Sequence, residues 1–178
     1  MKIGTKAPTM RVPCILKNQT NLLSLSEFHG QIFALCWVPH IREFDAWFLE
    51  TQVKKFEQAG SALAILVSKD NGLGRDWVRP PHEFSLTFFI DPIGRLQRTF
   101  TLSQLLFPTR CETLIFDQGT CLRFRLIHDL NLKGFSAVLD IAESDFLEGS
   151  QENGFPPAMG NRSWFQTMEP KAAIETPS

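Results

Sequence analysis

The 178-residue chain contains no tyrosine, which excludes a tyrosyl hydroxyl as an acid, a base or a radical site. It also lacks any long block of like charges: the net charge is −1, and charged residues alternate in sign. A surface that binds nucleic acid or acidic lipid is therefore not expected. No apolar run approaches the roughly 18 residues that a membrane span needs, and no apolar core follows the basic start of the chain. We therefore expect neither a membrane span nor a secretory signal.

Cysteine is sparse, and no two cysteines form a C-x-x-C pair. The four cysteines stand at wide, irregular spacings: Cys14, Cys36, Cys111 and Cys121. This pattern argues against a metal knuckle and against a disulfide scaffold, and the histidines share no metal-ligand spacing. We therefore assign no metal and no cofactor. Free thiols are typical of a reducing compartment, and we expect the protein to be cytoplasmic.

Apolar runs alternate with amphipathic segments, which predicts an α/β domain. The continuous run at 32–38 suits a strand covered on both faces, an amphipathic helix follows over 41–59, and a second buried strand spans 61–68. Further predicted elements are an N-terminal hairpin (12–16 and 22–25), strands at 86–90, 111–116 and 121–127 (the last at a sheet edge), a weak helix at 95–106 and a helix at 135–147. Three aromatic residues are predicted to be core rather than a stacking platform: Trp37, Trp47 and Phe48.

The composition changes near the end of the last predicted helix, which sets the domain boundary. We assign residues 1–148 to the folded domain and residues 149–178 to a flexible tail, because the tail is rich in Pro, Gly, Glu, Asn and Ser. Its apolar cluster is Trp164-Phe165 with Met168. The pair is either a stray aromatic group in a solvated tail or a docking segment that folds onto a partner or onto the domain.

Five short motifs run in order along the predicted domain. They are Gly4-x-x-Ala7-Pro8, Leu23-Ser24-Leu25-Ser26-Glu27-Phe28-x-Gly30, Phe56-Glu57-x-x-Gly60 followed by residues 64–70, Asp91-Pro92-x-Gly94, and Thr113-Leu114-Ile115-Phe116-Asp117-x-Gly119. In number, order and spacing they resemble the peroxiredoxin branch of the thioredoxin fold, the alkyl hydroperoxide reductase and thiol-specific antioxidant family. The resemblance implies a central mixed sheet flanked by helices, and thiol-dependent reduction of peroxides.

The junction after the first core strand lacks the cysteine that this resemblance implies. Family members carry the nucleophile in the pattern P-x-x-x-[TS]-x-x-C, in the first turn of the next helix, where the helix N-terminus lowers the thiol pKa. Counted from Pro39, Glu43 stands at the hydroxyl position and Ala46 at the cysteine position. Counted back from Phe56, the loop is shorter and Arg42 takes the cysteine position.

Two cysteines offer a relocated nucleophile. In this fold the strand that begins near Cys111 lies antiparallel to the first core strand, so its start is expected near Cys36. Cys36 is then either a small buried hydrophobe or the partner of Cys111 in thiol or disulfide chemistry, for which the Cα atoms must lie within about 7 Å. The resemblance places a supporting arginine at the position of Cys111, with Arg110 one residue before it.

The loop equivalent to the active site consists of Pro39, His40, Arg42 and Glu43. His40 and Arg42 either bind a small anion at the helix N-terminus, where free backbone N–H groups favour negative charge, or are solvated loop residues. Glu43 is expected to compensate the helix dipole.

Three functions follow as alternatives. The first is a degenerate, non-peroxidatic peroxiredoxin-like protein that acts as a binding or assembly subunit. It would bind a protein partner or form a homodimer through the cleft at the former active-site position, a domain face or the tail. The second is an active thiol-dependent antioxidant oxidoreductase, a peroxidase that uses Cys111 or Cys36. The third is a small-anion-binding module.

Overall fold

The computed structural model describes residues 2–16, 19–39, 41, 43–68, 86–91, 93–100 and 109–144. The strands in these ranges are β1 (Arg11–Leu16), β2 (Gln19–Ser24), β3 (Phe33–Trp37), β4 (Ala62–Ser68), β5 (Thr87–Asp91), β6 (Cys111–Phe116) and β7 (Leu122–His128). The helices are a 3₁₀ turn (Leu25–Phe28), α1 (Glu43–Gln58), α2 (Arg95–Phe100) and α3 (Leu132–Ala142). In this part of the chain no helix is long and apolar enough to cross a bilayer. The predicted tail, with Trp164-Phe165, and the predicted helical residues 101–106 lie outside the described ranges.

The strands form one mixed sheet in the order β2-β1-β5-β4-β3-β6-β7. The central strands β3, β4 and β5 are parallel, and β6 and β7 continue the sheet in antiparallel fashion. The N-terminal hairpin joins the same sheet, because Cys14 and Ile15 of β1 pair with Phe89 and Phe88 of β5. The predicted mixed sheet is confirmed, and β7 lies at its edge as predicted.

Strand β3 is buried on both faces. Its side chains alternate between two apolar clusters, with Ala34 and Cys36 in one and Phe33, Leu35 and Trp37 in the other, because successive residues of a strand point to opposite faces. All five are at most 4% exposed. Residues of α1 and α3 belong to the first cluster and residues of α2 to the second. The continuous apolar run therefore correctly predicted a central strand.

Helix α3 begins earlier than its apolar stripe suggests. The side-chain Oδ1 of Asn131 accepts a hydrogen bond of 2.8 Å from the backbone N–H of Gly134 and caps the helix. Helix α3 therefore begins at Leu132, three residues before Phe135, where the apolar stripe had placed it. An N-cap amide or hydroxyl fixes the start of a helix through an otherwise unpaired backbone donor, and this bond overrides apolar spacing.

The prediction that Trp47 belongs to the core is wrong. Its side chain is 48% exposed, whereas Trp37 is 4% exposed and Phe48 packs edge-to-face on Phe135 with ring centroids 5.5 Å apart. The inward stripe of α1 includes Leu49, which is fully buried. An α-helix turns about 100° per residue, so a residue two positions before Leu49 faces away from the core.

Candidate functional site

The junction between β3 and α1 lies at the carboxyl edge of the parallel strands, where open α/β sheets bind ligands. The N–H of Val38 donates to the carbonyl of Leu66 at 3.1 Å, and the buried Pro39 ends the strand. In the first turn of α1, Ala46 is 3% exposed and packs in the apolar cluster between the sheet and the helix. The position that the count from Pro39 assigns to a nucleophile therefore presents a methyl group to the core.

The described residues include only part of the predicted loop. His40 and Arg42 lie outside the described residues, and of Glu43 the structure describes the backbone, which begins α1. The anion site at His40 and Arg42, and the role of Glu43 beside the helix dipole, therefore stay predictions.

Cys36 and Cys111 lie side by side beneath α1 and α3. Strand β3 pairs with β6 so that Cys36 is opposite Thr113, which makes Cys111 its diagonal neighbour on the same face. Both cysteines are fully buried in one apolar cluster. Both are free thiols. The fold therefore brings together two cysteines that are far apart in the sequence.

The environment of Cys36 disfavours its thiolate. Burial raises the pKa of the Cys36 thiol well above its usual range, the neighbouring Cys111 raises it further, and the hydroxyl of Thr113 opposes the increase. The S–H group lies 3.8 Å from the carbonyl oxygen of Trp37, which accepts from it. Because the thiolate is the nucleophilic form, Cys36 is a poor nucleophile in the folded protein.

Thr113 and His128 complete this cluster, and neither was assigned a role from the sequence. The Nε2 atom of His128 lies 2.8 Å from the Oγ1 atom of Thr113, and its Nδ1 atom lies 2.9 Å from the carbonyl oxygen of Asp129. A carbonyl only accepts, so Nδ1 carries the hydrogen and Nε2 of the neutral ring accepts from the threonine hydroxyl. The four residues form a cluster in which Cys36 is opposite Thr113 and His128 is opposite Cys111.

The imidazole is held tightly between β7 and α3. Its side chain is 5% exposed, and the ring of Phe135 stands edge-to-face on it at 5.1 Å. A Cβ atom on Gly134 would lie 2.6 Å from the Nδ1 atom of His128 and 2.5 Å from the carbonyl oxygen of Asp129. Only glycine fits there, so the first turn of α3 packs directly on the histidine.

Acidification is expected to weaken the fold through His128. Burial lowers the pKa of His128 below its usual value of 6.5, although the carbonyl and the charge of Asp129 oppose the change. The unfolded chain therefore binds a proton at a pH at which folded His128 is still neutral. The free energy of unfolding should fall as the pH drops through about 6.5 and level off below the folded pKa, with a slope of at most about 1.4 kcal/mol per pH unit.

Urea denaturation over this pH range measures the slope, and His128→Gln serves as the control because it removes the titrating ring. The difference in slope between the two proteins isolates the histidine from carboxylates such as Glu57, whose pKa is raised, mainly by burial. Equal slopes in the two proteins would contradict the assignment.

The apolar cluster that holds the thiol pair does not include Arg110, Cys14 or Cys121. The Nε atom of Arg110 pairs with the Oδ1 atom of Asp129 at 3.1 Å, and both side chains are largely exposed. Cys14 belongs to the cluster on the other face of the sheet, where burial raises the pKa of its thiol to about 11. Cys121 is half-buried, in a bridge to Lys6. Among the described residues, no three metal-ligating side chains form a cluster.

Solved structures with a similar fold exist at low sequence identity. The mitochondrial 2-Cys peroxiredoxin of Plasmodium falciparum aligns with a TM-score of 0.63 and 17% identity, over 87% of this chain and 100% of that one. Thioredoxin peroxidase I of Plasmodium yoelii aligns with a TM-score of 0.64 and 13% identity, over 90% and 100%. AhpC of Mycobacterium tuberculosis aligns with a TM-score of 0.60 and 16% identity, over 83% and 96%.

Comparison with protein-family models gives no match, and comparison with curated proteins gives none either. The likeness to the solved structures is therefore one of three-dimensional arrangement. It extends over most of this chain and nearly all of each of these structures. The chain has the peroxiredoxin-like form of the thioredoxin fold.

Proposed function

We propose that this protein is a non-peroxidatic member of the peroxiredoxin-like fold that acts as a binding or assembly subunit. The observation that carries the proposal is the junction of β3 and α1, where Ala46 packs in the core at the position of the expected nucleophile. The segment from Pro39 to Ala46 contains no cysteine. A helix N-terminus lowers the pKa of a cysteine in the first turn, and the first turn of α1 contains no cysteine.

The state of the nearest cysteines supports the same proposal. Cys36 and Cys111 are fully buried, and burial raises the pKa of Cys36. A peroxidase needs a thiolate that meets its substrate, and neither condition holds for Cys36. The binding role then falls to the cleft beside the junction or to the tail at 149–178, which we propose as a docking segment appended to a domain of residues 1–148. The partner is a protein, which includes a second copy of this chain, and the compartment is the reducing cytoplasm.

The second candidate is a thiol oxidoreductase that uses Cys111 or Cys36. The position of the two buried thiols as diagonal neighbours on one face of the sheet favours it, because a dithiol is the reduced form of a disulfide redox couple. Three of the solved structures with a similar fold are named as 2-Cys peroxiredoxins or a thioredoxin peroxidase, which also favours redox chemistry.

Peroxide turnover separates the two candidates. With hydrogen peroxide and a dithiol donor in excess, we expect turnover no faster than the donor alone, and unchanged in Cys36→Ser and Cys111→Ser. In native protein we expect iodoacetamide to label the half-buried Cys121 first and to reach the three fully buried cysteines only after unfolding. A turnover rate that one serine variant abolishes would overturn the proposal in favour of the oxidoreductase.

A further inference from the structure

We propose that β2 is a docking edge to which a second copy of this chain adds its own β2, so that two seven-stranded sheets join across a twofold axis at Asn21. The proposal rests on the assembly role proposed above, because it names a partner and a surface for that role. The peroxide assay does not measure association, so each of the two proposals can fail without the other.

Strand β2 is an exposed end of the sheet. It stands first in the order β2-β1-β5-β4-β3-β6-β7, so within the described part of the chain it pairs with β1 on one side and with no strand on the other. Its first four residues are exposed, and the side chain of Leu22 is 57% exposed. An edge strand with free backbone groups is a template for a further strand.

The pairing with β1 determines which backbone groups of β2 face outward. Paired residues of antiparallel strands alternate between those that exchange two backbone hydrogen bonds and those that exchange none. Leu22 is opposite Pro13, which has no N–H group, and the N–H of Ser24 donates to the Oε1 atom of Glu27 at 2.9 Å. Both positions therefore belong to the second kind, and the N–H and carbonyl groups of Thr20 and Leu22 point away from β1.

These outward groups are complementary to a second copy of themselves. When two β2 strands pair antiparallel across a twofold axis at Asn21, Thr20 of each copy is opposite Leu22 of the other. Each such pair exchanges two backbone hydrogen bonds, and the symmetry repeats the pair. The exposed Leu22 side chain then lies beside the methyl group of the partner's Thr20, and the pairing ends before Ser24, whose N–H is held by Glu27.

The charge of β2 also fits a second copy. Its sequence is QTNLLS, without the charged residues and prolines that commonly protect an edge strand, so two copies bring no like charges together. The opposite edge, β7, carries Arg123 and Arg125. The backbone of Leu122 in β7 is already bonded, because its carbonyl accepts from Gly4 at 2.7 Å and its N–H donates to Thr5 at 2.9 Å. Of the two edges, β2 is therefore the one that a second copy fits.

The contact is small, so we expect a weak dimer. Two strands of six residues bury less than the roughly 1,600 Å² of a standard protein–protein interface, which favours a dissociation constant on the order of 100 μM. Sedimentation equilibrium of the full-length protein from about 10 μM to about 1 mM spans this constant and should follow a monomer–dimer curve. A protein that stays monomeric through this range overturns the proposal.

Substitutions on β2 test the position of the axis. In this register the two Asn21 residues face each other, with Cα atoms about 4.5 Å apart. Asn21→Asp places like charges there and should weaken the dimer roughly tenfold at low salt. Gln19→Asp is the matched control, because Gln19 is also exposed and lies on the same face of β2. Its two copies are about 13 Å apart along the strands, so the dissociation constant should change little.

A mixture of two variants separates a lost contact from a damaged strand. Asn21→Lys alone should weaken the dimer for the same reason as Asn21→Asp. An equimolar mixture of the two should dimerise at least as tightly as the wild type, because opposite charges then meet at the axis. A wild-type dimer that Asn21→Asp leaves intact overturns the proposal. So does a mixture that stays monomeric although each variant has a native circular dichroism spectrum.

Discussion

Replacing Phe33 with alanine is expected to lower the free energy of unfolding by about 4 kcal/mol, the usual cost of deleting a fully buried aromatic ring. The ring is 1% exposed and stands between two others. It stacks on Phe28 with centroids 4.0 Å apart and planes 10° apart, and on Phe116 at 5.8 Å. Deletion removes both contacts and leaves a cavity at the start of β3, where the paired strands β4 and β6 on each side oppose collapse.

Urea denaturation followed by circular dichroism measures this loss. Phe33→Leu is the matched control, because it keeps an apolar side chain on the strand and should cost clearly less than the alanine variant. Equal losses in the leucine and alanine variants would contradict this account, because the apolar volume that leucine keeps would then contribute nothing to stability.

Replacing Glu112 with alanine is expected to cost about 3 kcal/mol, at the lower end of the range for breaking a buried ion pair. Glu112 is 2% exposed and pairs with Arg125, whose side chain is 27% exposed. Arg125 also donates from Nη1 to the carbonyl of Phe100 at 3.3 Å, so it ties α2 to the sheet. Without the carboxylate, the guanidinium keeps its charge in a half-buried site, and its partial access to water sets the cost at the low end.

Glu112→Gln and the double variant Glu112→Leu with Arg125→Leu test this account by urea denaturation. The glutamine keeps an acceptor of nearly the same shape and should lose less stability than alanine. The double variant removes both charges and should also lose less than alanine, because no uncompensated charge remains. A double variant that is less stable than Glu112→Ala would contradict the account.

The sequence predicted the central strand and its neighbours because each carries a local signal. The unbroken apolar run around Cys36 required a strand with two covered faces, and the likeness of motifs to peroxiredoxins placed the strand of Cys111 beside it. Alternation along β6 also implies that Thr113 shares a face with Cys111. These inferences need only the order of residues within an element and the order of elements along the chain.

The contact of His128 with Thr113 and the exposure of Trp47 depend on contacts between elements, which the sequence does not show. His128 meets Thr113 because β6 and β7 change register between Ile115 and Phe116, and a bulge of that kind has no reliable signature in the sequence. Trp47 was assigned to the core because apolar spacing tolerates a wide stripe, and only the packing of α1 on the sheet shows that this ring faces outward.

The pairing of β1 with β5 has a kinetic consequence. Strands β3 and β4 are joined through α1, and two residues separate β1 from β2 along the chain, so each of these units forms from contacts that are close in sequence. The pairing of Cys14 with Phe89 instead closes a loop that contains both β3 and β4. The conformational entropy of that loop must be lost before the pairing contributes to stability. The N-terminal hairpin therefore docks late in folding, after the parallel strands have assembled, and the free edge of β5 stays open to wrong partners until it does.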